Sequence, residues 1–121
     1  MSISNTDREL IWEAFSECFA GEATDYDYEL RNIKNFPINL LKFIFFNEVA
    51  PVCGKNLLFS IPVVWTGFDQ NWVRREINEM LTLKKASFFY RISYQLKTIR
   101  CRYYFIDLWH EIEKSISKKI E

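Results

Sequence analysis

Glycine and proline are scarce in this 121-residue chain, with three of each, and histidine occurs once. Turn-rich β architectures need such residues at short intervals, so their poverty disfavours a many-stranded sandwich. Low-complexity disorder is equally disfavoured, because 49% of the residues are hydrophobic. Cysteine is sparse and odd in number. Cys18, Cys53 and Cys101 lie too far apart for a zinc spacing or a disulfide framework, which points to reduced thiols and a cytoplasmic location. His110 stands alone, so no zinc site of four protein ligands is expected. Gly21, Gly54 and Gly67 are isolated, and no phosphate-cradling glycine run surrounds them. The most apolar run, INLLKFIFF at residues 38–46, is interrupted by Lys42. It is far shorter than the ~20 residues that cross a bilayer. The first residues, MSISNTDREL, lack the basic-then-apolar pattern of a secretion signal.

Aromatic side chains, by contrast, are abundant: 11 Phe, 6 Tyr and 4 Trp. Hydrophobic residues recur at helical spacing through most of the chain. Thr6 with Glu9 has the form of a capping box opening a helix over about 6–20, with Leu10, Ile11, Ala14, Phe15, Cys18 and Phe19 on one side and Gly21 as its stop. Thr24 is placed to cap a short second helix in which Tyr26, Leu30 and Ile33 share a face. Pro37 suits the first turn of a third, apolar helix that Pro51 and Gly54 would end. Residues 54–68 read as a connection, extended around 61–65. Asp69 is positioned as the N-cap of a fourth helix bearing Trp72, Val73, Ile77, Met80 and Leu81, with Phe68 and Val73 as a hydrophobic staple. In this arrangement VVWTGFDQNW (63–72) is a hinge into the core, Gly67 permitting the turn, and the alternative is an exposed aromatic recognition loop. Beyond Ser87 no Gly or Pro occurs, and Ile92, Leu96, Ile99, Tyr103, Ile106, Trp109, Ile112 and Ile116 define a stripe expected to face the core. The expectation is an all-α single domain spanning 1–121, with about five helices and a long C-terminal helix or helix pair.

Three stretches together, WEAFSECF (12–19), NEVAPVCGKNLL (47–58) and WTGFDQNW (65–72), resemble an uncharacterised family of small bacterial proteins, a domain of unknown function. The shared pattern is W-x-A-x-S-x-x-F, E-V-A-P and W-x-G-F-D, carried here by Trp12, Ser16, Glu48, Pro51, Trp65, Gly67, Phe68 and Asp69. The likeness covers roughly residues 8–82, and the basic stretch after Lys84 matches less closely. It implies bacterial origin and a shared fold, and it brings no activity.

The residues themselves offer little for catalysis. His110 lies nine positions after Cys101, about 13 Å along a helix, too far for a thiol–imidazole hydrogen bond. Asp25, Asp27 and Glu29 alternate, yet acids at a helix start complement the dipole without a metal. Glu48 near a helix end would be disfavoured by the dipole, and a buried partner such as an arginine would explain it. No enzyme, cofactor or metal is expected.

Net charge is zero but unevenly placed. Asp7, Glu9, Glu13, Glu17, Glu22, Asp25, Asp27 and Glu29 face only Arg8 and Arg31 in the first 33 residues. Lys84, Lys85, Arg91, Lys97, Arg100 and Arg102 crowd 80–106 without an acid. Attraction between the two ends of the chain accounts for this simply. A docking surface is the sharper reading. In EATDYDYE (22–29), Glu22, Asp25, Tyr26, Asp27, Tyr28 and Glu29 set carboxylates between aromatics, a pattern suited to a basic protein partner. The expected function is thus a protein-binding module, an immunity-type inhibitor of a cognate cytoplasm-acting toxin. The alternatives are nucleic-acid binding through the basic 84–102 segment, which the zero net charge and the expected burial of its aromatics disfavour, and a homodimeric assembly subunit.

Overall fold

The computed structural model describes residues 3–19, 25–54 and 69–117. Five helices lie among them and no strand, so the fold is all-α. Helix α1 (Asn5–Cys18) is capped by Ser4, whose hydroxyl accepts from the Asp7 amide at 3.1 Å, rather than by Thr6. Ser4 holds the extended backbone of an N-cap, while Thr6 already sits inside the first turn. Helix α2 (Tyr26–Glu29) is capped by Asp25, which accepts from the Tyr28 amide at 3.2 Å. Thr24, expected to cap it, lies outside the described residues, as do Gly21, Glu22, Trp65, Gly67, Phe68 and the connection at 55–68.

Helix α3 begins after Pro37 as expected (Ile38–Ile44); it does not stop at Pro51 but ends at the expected Gly54. It widens into a π turn (Phe45–Val49) and resumes as an α turn (Ala50–Cys53), one continuous rod over 38–53. The expected stop rested on the clash between a proline ring and the carbonyl four residues back. In the widened turn the Ala50 amide reaches back five residues to the Phe45 carbonyl, which relaxes that crowding. Pro51 has no N–H to give the Asn47 carbonyl, and the buried Tyr94 hydroxyl donates to it instead. Burial holds that phenol well above its ordinary pKa, so it remains a donor.

Helix α4 (Gln70–Ala86) starts at the expected N-cap, the Asp69 carboxylate accepting from the Asn71 amide at 2.9 Å. It buries Val73, Ile77 and Met80. Ser87, in extended conformation, breaks the chain for a single residue. Its amide closes α4 on the Leu83 carbonyl, and its hydroxyl accepts from the Tyr90 amide to open α5 (Phe88–Ser117). The C-terminal region is therefore one helix of 30 residues, not a pair.

The core gathers every helix around an aromatic cluster of Phe15, Phe19, Phe45, Phe46, Phe105 and Trp109. Phe19 stacks on Phe45 at 5.3 Å, and Phe15 meets Phe45 edge-on at 5.4 Å, both favoured ring geometries. Gly54 serves this core by its lack of a side chain. A Cβ there would sit 2.6 Å from both the Phe105 ring and the Ala50 carbonyl oxygen.

The stripe expected to bury α5 is wrong over its first half. Ile92, Leu96, Ile99 and Tyr103 are exposed, by 43% at Ile92 and 79% at Tyr103. The buried side instead runs Tyr94, Thr98, Cys101, Phe105, Trp109, Ile112 and Ser115. Both stripes have helical spacing, so periodicity alone does not choose between them. Two long-range demands decide it: Tyr94 must reach the Asn47 carbonyl, and Phe105 must enter the gap left by Gly54.

Candidate functional site

The buried polar centre of the molecule joins α1 to the π turn. The Trp12 indole N–H donates to Glu48 Oε1 at 2.8 Å, and Arg8 Nε lies 3.5 Å from the same oxygen. The arginine expected opposite Glu48 is thus Arg8. Glu48 is not at a helix end, since the rod continues to Cys53, so burial is what makes a partner necessary. Burial raises the Glu48 carboxyl above the ordinary range, against the opposing effects of the Trp12 hydrogen bond and of Arg8 and Lys84. Arg8 Nε is buried and makes no hydrogen bond among the described residues, an ion pair of imperfect geometry.

A second polar link ties α1 to α4. The Ser16 hydroxyl donates to the Glu13 carbonyl at 2.9 Å and accepts from Gln70 Nε2 at 3.0 Å. Gln70 also reaches Glu17 Oε1 at 3.2 Å. Trp12, Ser16, Glu48 and the Asp69 cap beside Gln70 are therefore neighbours in space, and their roles are architectural.

Glu17 opens onto a concavity of about 250 Å³ between α1 and α2, where Leu10, Glu13, Tyr28, Glu29 and Arg31 also line the wall. Burial, followed by repulsion from Glu29, raises the Glu17 carboxyl, with Glu13 adding to the effect and the Gln70 hydrogen bond opposing it. Arg31 is committed locally: its guanidinium lies 3.8 Å from the Tyr28 ring centroid and donates to the Tyr28 carbonyl. Tyr28 keeps 57% of its surface exposed.

Within the acidic segment, Asp25 caps α2, Tyr26 is half-buried against the core, and Asp27 accepts from the Ser115 hydroxyl near the end of α5. Tyr28 and Glu29 face the concavity, and Glu22 lies outside the described residues. Sequence reasoning missed Glu13 and Glu17 as members of this group. The signal was present, since Leu10, Glu13 and Glu17 step by three and four along α1 and so share a face.

Candidate nucleophiles sit elsewhere. Cys18, Cys53 and Cys101 are all buried, and burial pushes each thiol up, leaving it protonated and weakly nucleophilic. His110 is exposed, on the opposite side of α5 from Cys101. Among the described residues no three metal-ligating side chains converge, and no helix is long and apolar enough to cross a membrane.

The bases of α5 flank its exposed outer face. Arg91 turns back to donate to the Lys84 carbonyl at 3.3 Å, and the Arg102 guanidinium lies 5.7 Å over the Phe46 ring.

Comparison with curated proteins and with solved structures gave no match. A family model matches residues 6–115, reaching through the basic half of α5 as well as the motif region. The chain belongs to the family described as a domain of unknown function, DUF7079.

Proposed function

We propose that this chain is a non-enzymatic bacterial protein-binding module, specifically an immunity-type inhibitor that neutralises a cognate toxin in the cytoplasm. The observation that supports this reading is the crowding of Glu13, Glu17 and Glu29 around one concavity with Tyr28 at its side. Like charges held this close repel one another, and after burial that repulsion is what raises the Glu17 carboxyl. A basic protein surface entering the concavity relieves that repulsion, and Tyr28 supplies the apolar anchor that interfaces favour. Toxins that act on nucleic acid carry basic active sites of this kind, so occlusion of such a site is the mechanism. A docked lysine or arginine favours the ionised form of Glu17, so affinity falls as pH drops and falls with added salt.

The test is capture from a lysate of the native bacterium with wild-type protein and with Glu13→Lys, Glu29→Lys. A protein retained by the wild type and lost by the variant should arrest growth when expressed alone and be neutralised by coexpression. If the reversal variant captures and protects as well as the wild type, the reading fails.

Nucleic-acid binding also has an observation in its favour. Phe88, Phe89, Tyr103 and Tyr104 are exposed among Arg91, Lys97, Arg100 and Arg102, while Tyr94 is committed to the core. The expected burial that disfavoured this alternative is thus removed.

A further inference from the structure

The outer face of α5 carries Phe89, Ile92, Leu96, Ile99, Tyr103 and Ile106, separated by three, four, three, four and three residues. That is the a/d pattern of a seven-residue repeat, the seam along which two helices supercoil. Phe89 is 82% exposed, Leu96 61%, Ile99 64% and Tyr103 79%. Only Ile106 packs partly against the chain's own core. The seam runs for about 27 Å at 1.5 Å per residue. With ~150–250 Å² per aromatic side chain, it leaves roughly 600–900 Å² of apolar surface bare. The largest patch on an ordinary monomer is about 300–600 Å², whereas a stable pair buries about 800 Å² on each partner.

We infer that this face is where two copies of the chain pair, α5 against α5 in antiparallel, with the two-fold axis between Lys97 and Thr98. In that register Phe89 meets Ile106 of the second copy, Ile92 meets its Tyr103, and Leu96 meets its Ile99. Each aromatic side chain therefore packs on an isoleucine. Parallel pairing would stack Phe89 on Phe89 and Tyr103 on Tyr103, and leucine at a with isoleucine at d disfavours a parallel two-stranded coil. The flanking bases do not oppose the pairing. Arg91 and Arg102 fold back onto their own chain, at the Lys84 carbonyl and the Phe46 ring. Arg100 falls beside Ser93 of the second copy, and Arg102 beside its Gln95. Nucleic acid fits the face less well, because its centre is aliphatic: Ile92, Leu96 and Ile99 offer a base no π surface on which to stack.

This inference is independent of the toxin-inhibition reading, since the acidic concavity lies between α1 and α2. The test is light scattering of the full-length protein during gel filtration over a dilution series. The expected mass is twice the 14.6 kDa of the chain. Leu96→Glu with Ile99→Glu should halve it while leaving the helical circular dichroism and cooperative melting intact. A monomer at every concentration overturns the proposal, as does a dimer that survives both substitutions. A monomeric wild type whose binding to single-stranded DNA is lost in the variant assigns the face to nucleic acid instead. Orientation is read by cross-linking under oxidation, where the buried native thiols do not compete. Phe89→Cys mixed with Ile106→Cys should join, whereas Phe89→Cys alone should not. The reverse result overturns the antiparallel arrangement.

Discussion

Over the first four turns of α5, the inward face presents Tyr94, Thr98 and Cys101, while the outward face presents Phe89, Ile92, Leu96, Ile99 and Tyr103. Over the last three turns the order reverses, and Phe105, Trp109 and Ile112 point inward. The difference shows that burial in this helix is governed by fit rather than by hydrophobicity. The inward side of the first half is chosen for a phenol that can satisfy a proline-orphaned carbonyl and for small side chains that allow close approach. Larger apolar residues are left over on the outside, in a spacing too regular for a solvated face.

Truncation should separate the two faces most sharply at Trp109. Trp109→Ala removes the largest side chain of the aromatic cluster, and a loss of about 3–5 kcal/mol is expected from denaturant titration. A loss near zero would mean that the cluster is not the structural centre.

Glu48→Ala leaves the Trp12 indole and Arg8 facing an empty buried position, for an expected loss of about 3 kcal/mol. Glu48→Gln keeps the Trp12 acceptor and should cost far less. The sign of the pH dependence follows from the raised carboxyl. Stability contributed by Glu48 is fully present below the unfolded value of 4.5 and is lost as pH rises through the folded pKa. Thermal melts should therefore show Gln gaining on Glu as pH rises above 4.5, and a constant gap between the two would contradict the assignment.

Tyr94→Phe isolates the inward polar contact. The Asn47 carbonyl loses the Tyr94 hydroxyl as a donor, and about 1–3 kcal/mol should go with it. Adding Pro51→Ala restores a backbone N–H and should return part of the loss. At the small end, Leu96→Ala on the outward face should change the stability of the dilute monomer by less than about 0.5 kcal/mol. Equal effects at Leu96 and Trp109 would erase the distinction between the faces.

Much of the fold was legible because it is carried by short-range chemistry. The Asp69 cap, the Pro37 entry and the apolar stripe of α4 each follow from a few adjacent residues, and the single Ser87 break is bounded by two helices of clear pattern. What misled sequence reasoning was long-range. Pro51 reads as a stop unless the turn before it is known to widen. Ile92, Leu96 and Ile99 read as core because nothing local reveals that Tyr94 is needed 47 positions away. For the candidate site, Tyr28 and Glu29 were legible as a patch. Asp25 and Asp27 have structural duties, and Glu13 and Glu17 join only once α1 lies beside α2.

The π turn at Phe45–Val49 amounts to one residue more than a regular helix would use over the same height. Its consequence is best seen as a deletion: losing a single codon there would yield an uninterrupted α-helix, chemically more ordinary than the native rod. Residues beyond it, Gly54 among them, would keep nearly their present height and orientation, but the full proline clash of about 3 kcal/mol or more would return to the helix. A frame-preserving loss of one residue, harmless in many surface loops, should here be as damaging as removal of a core aromatic.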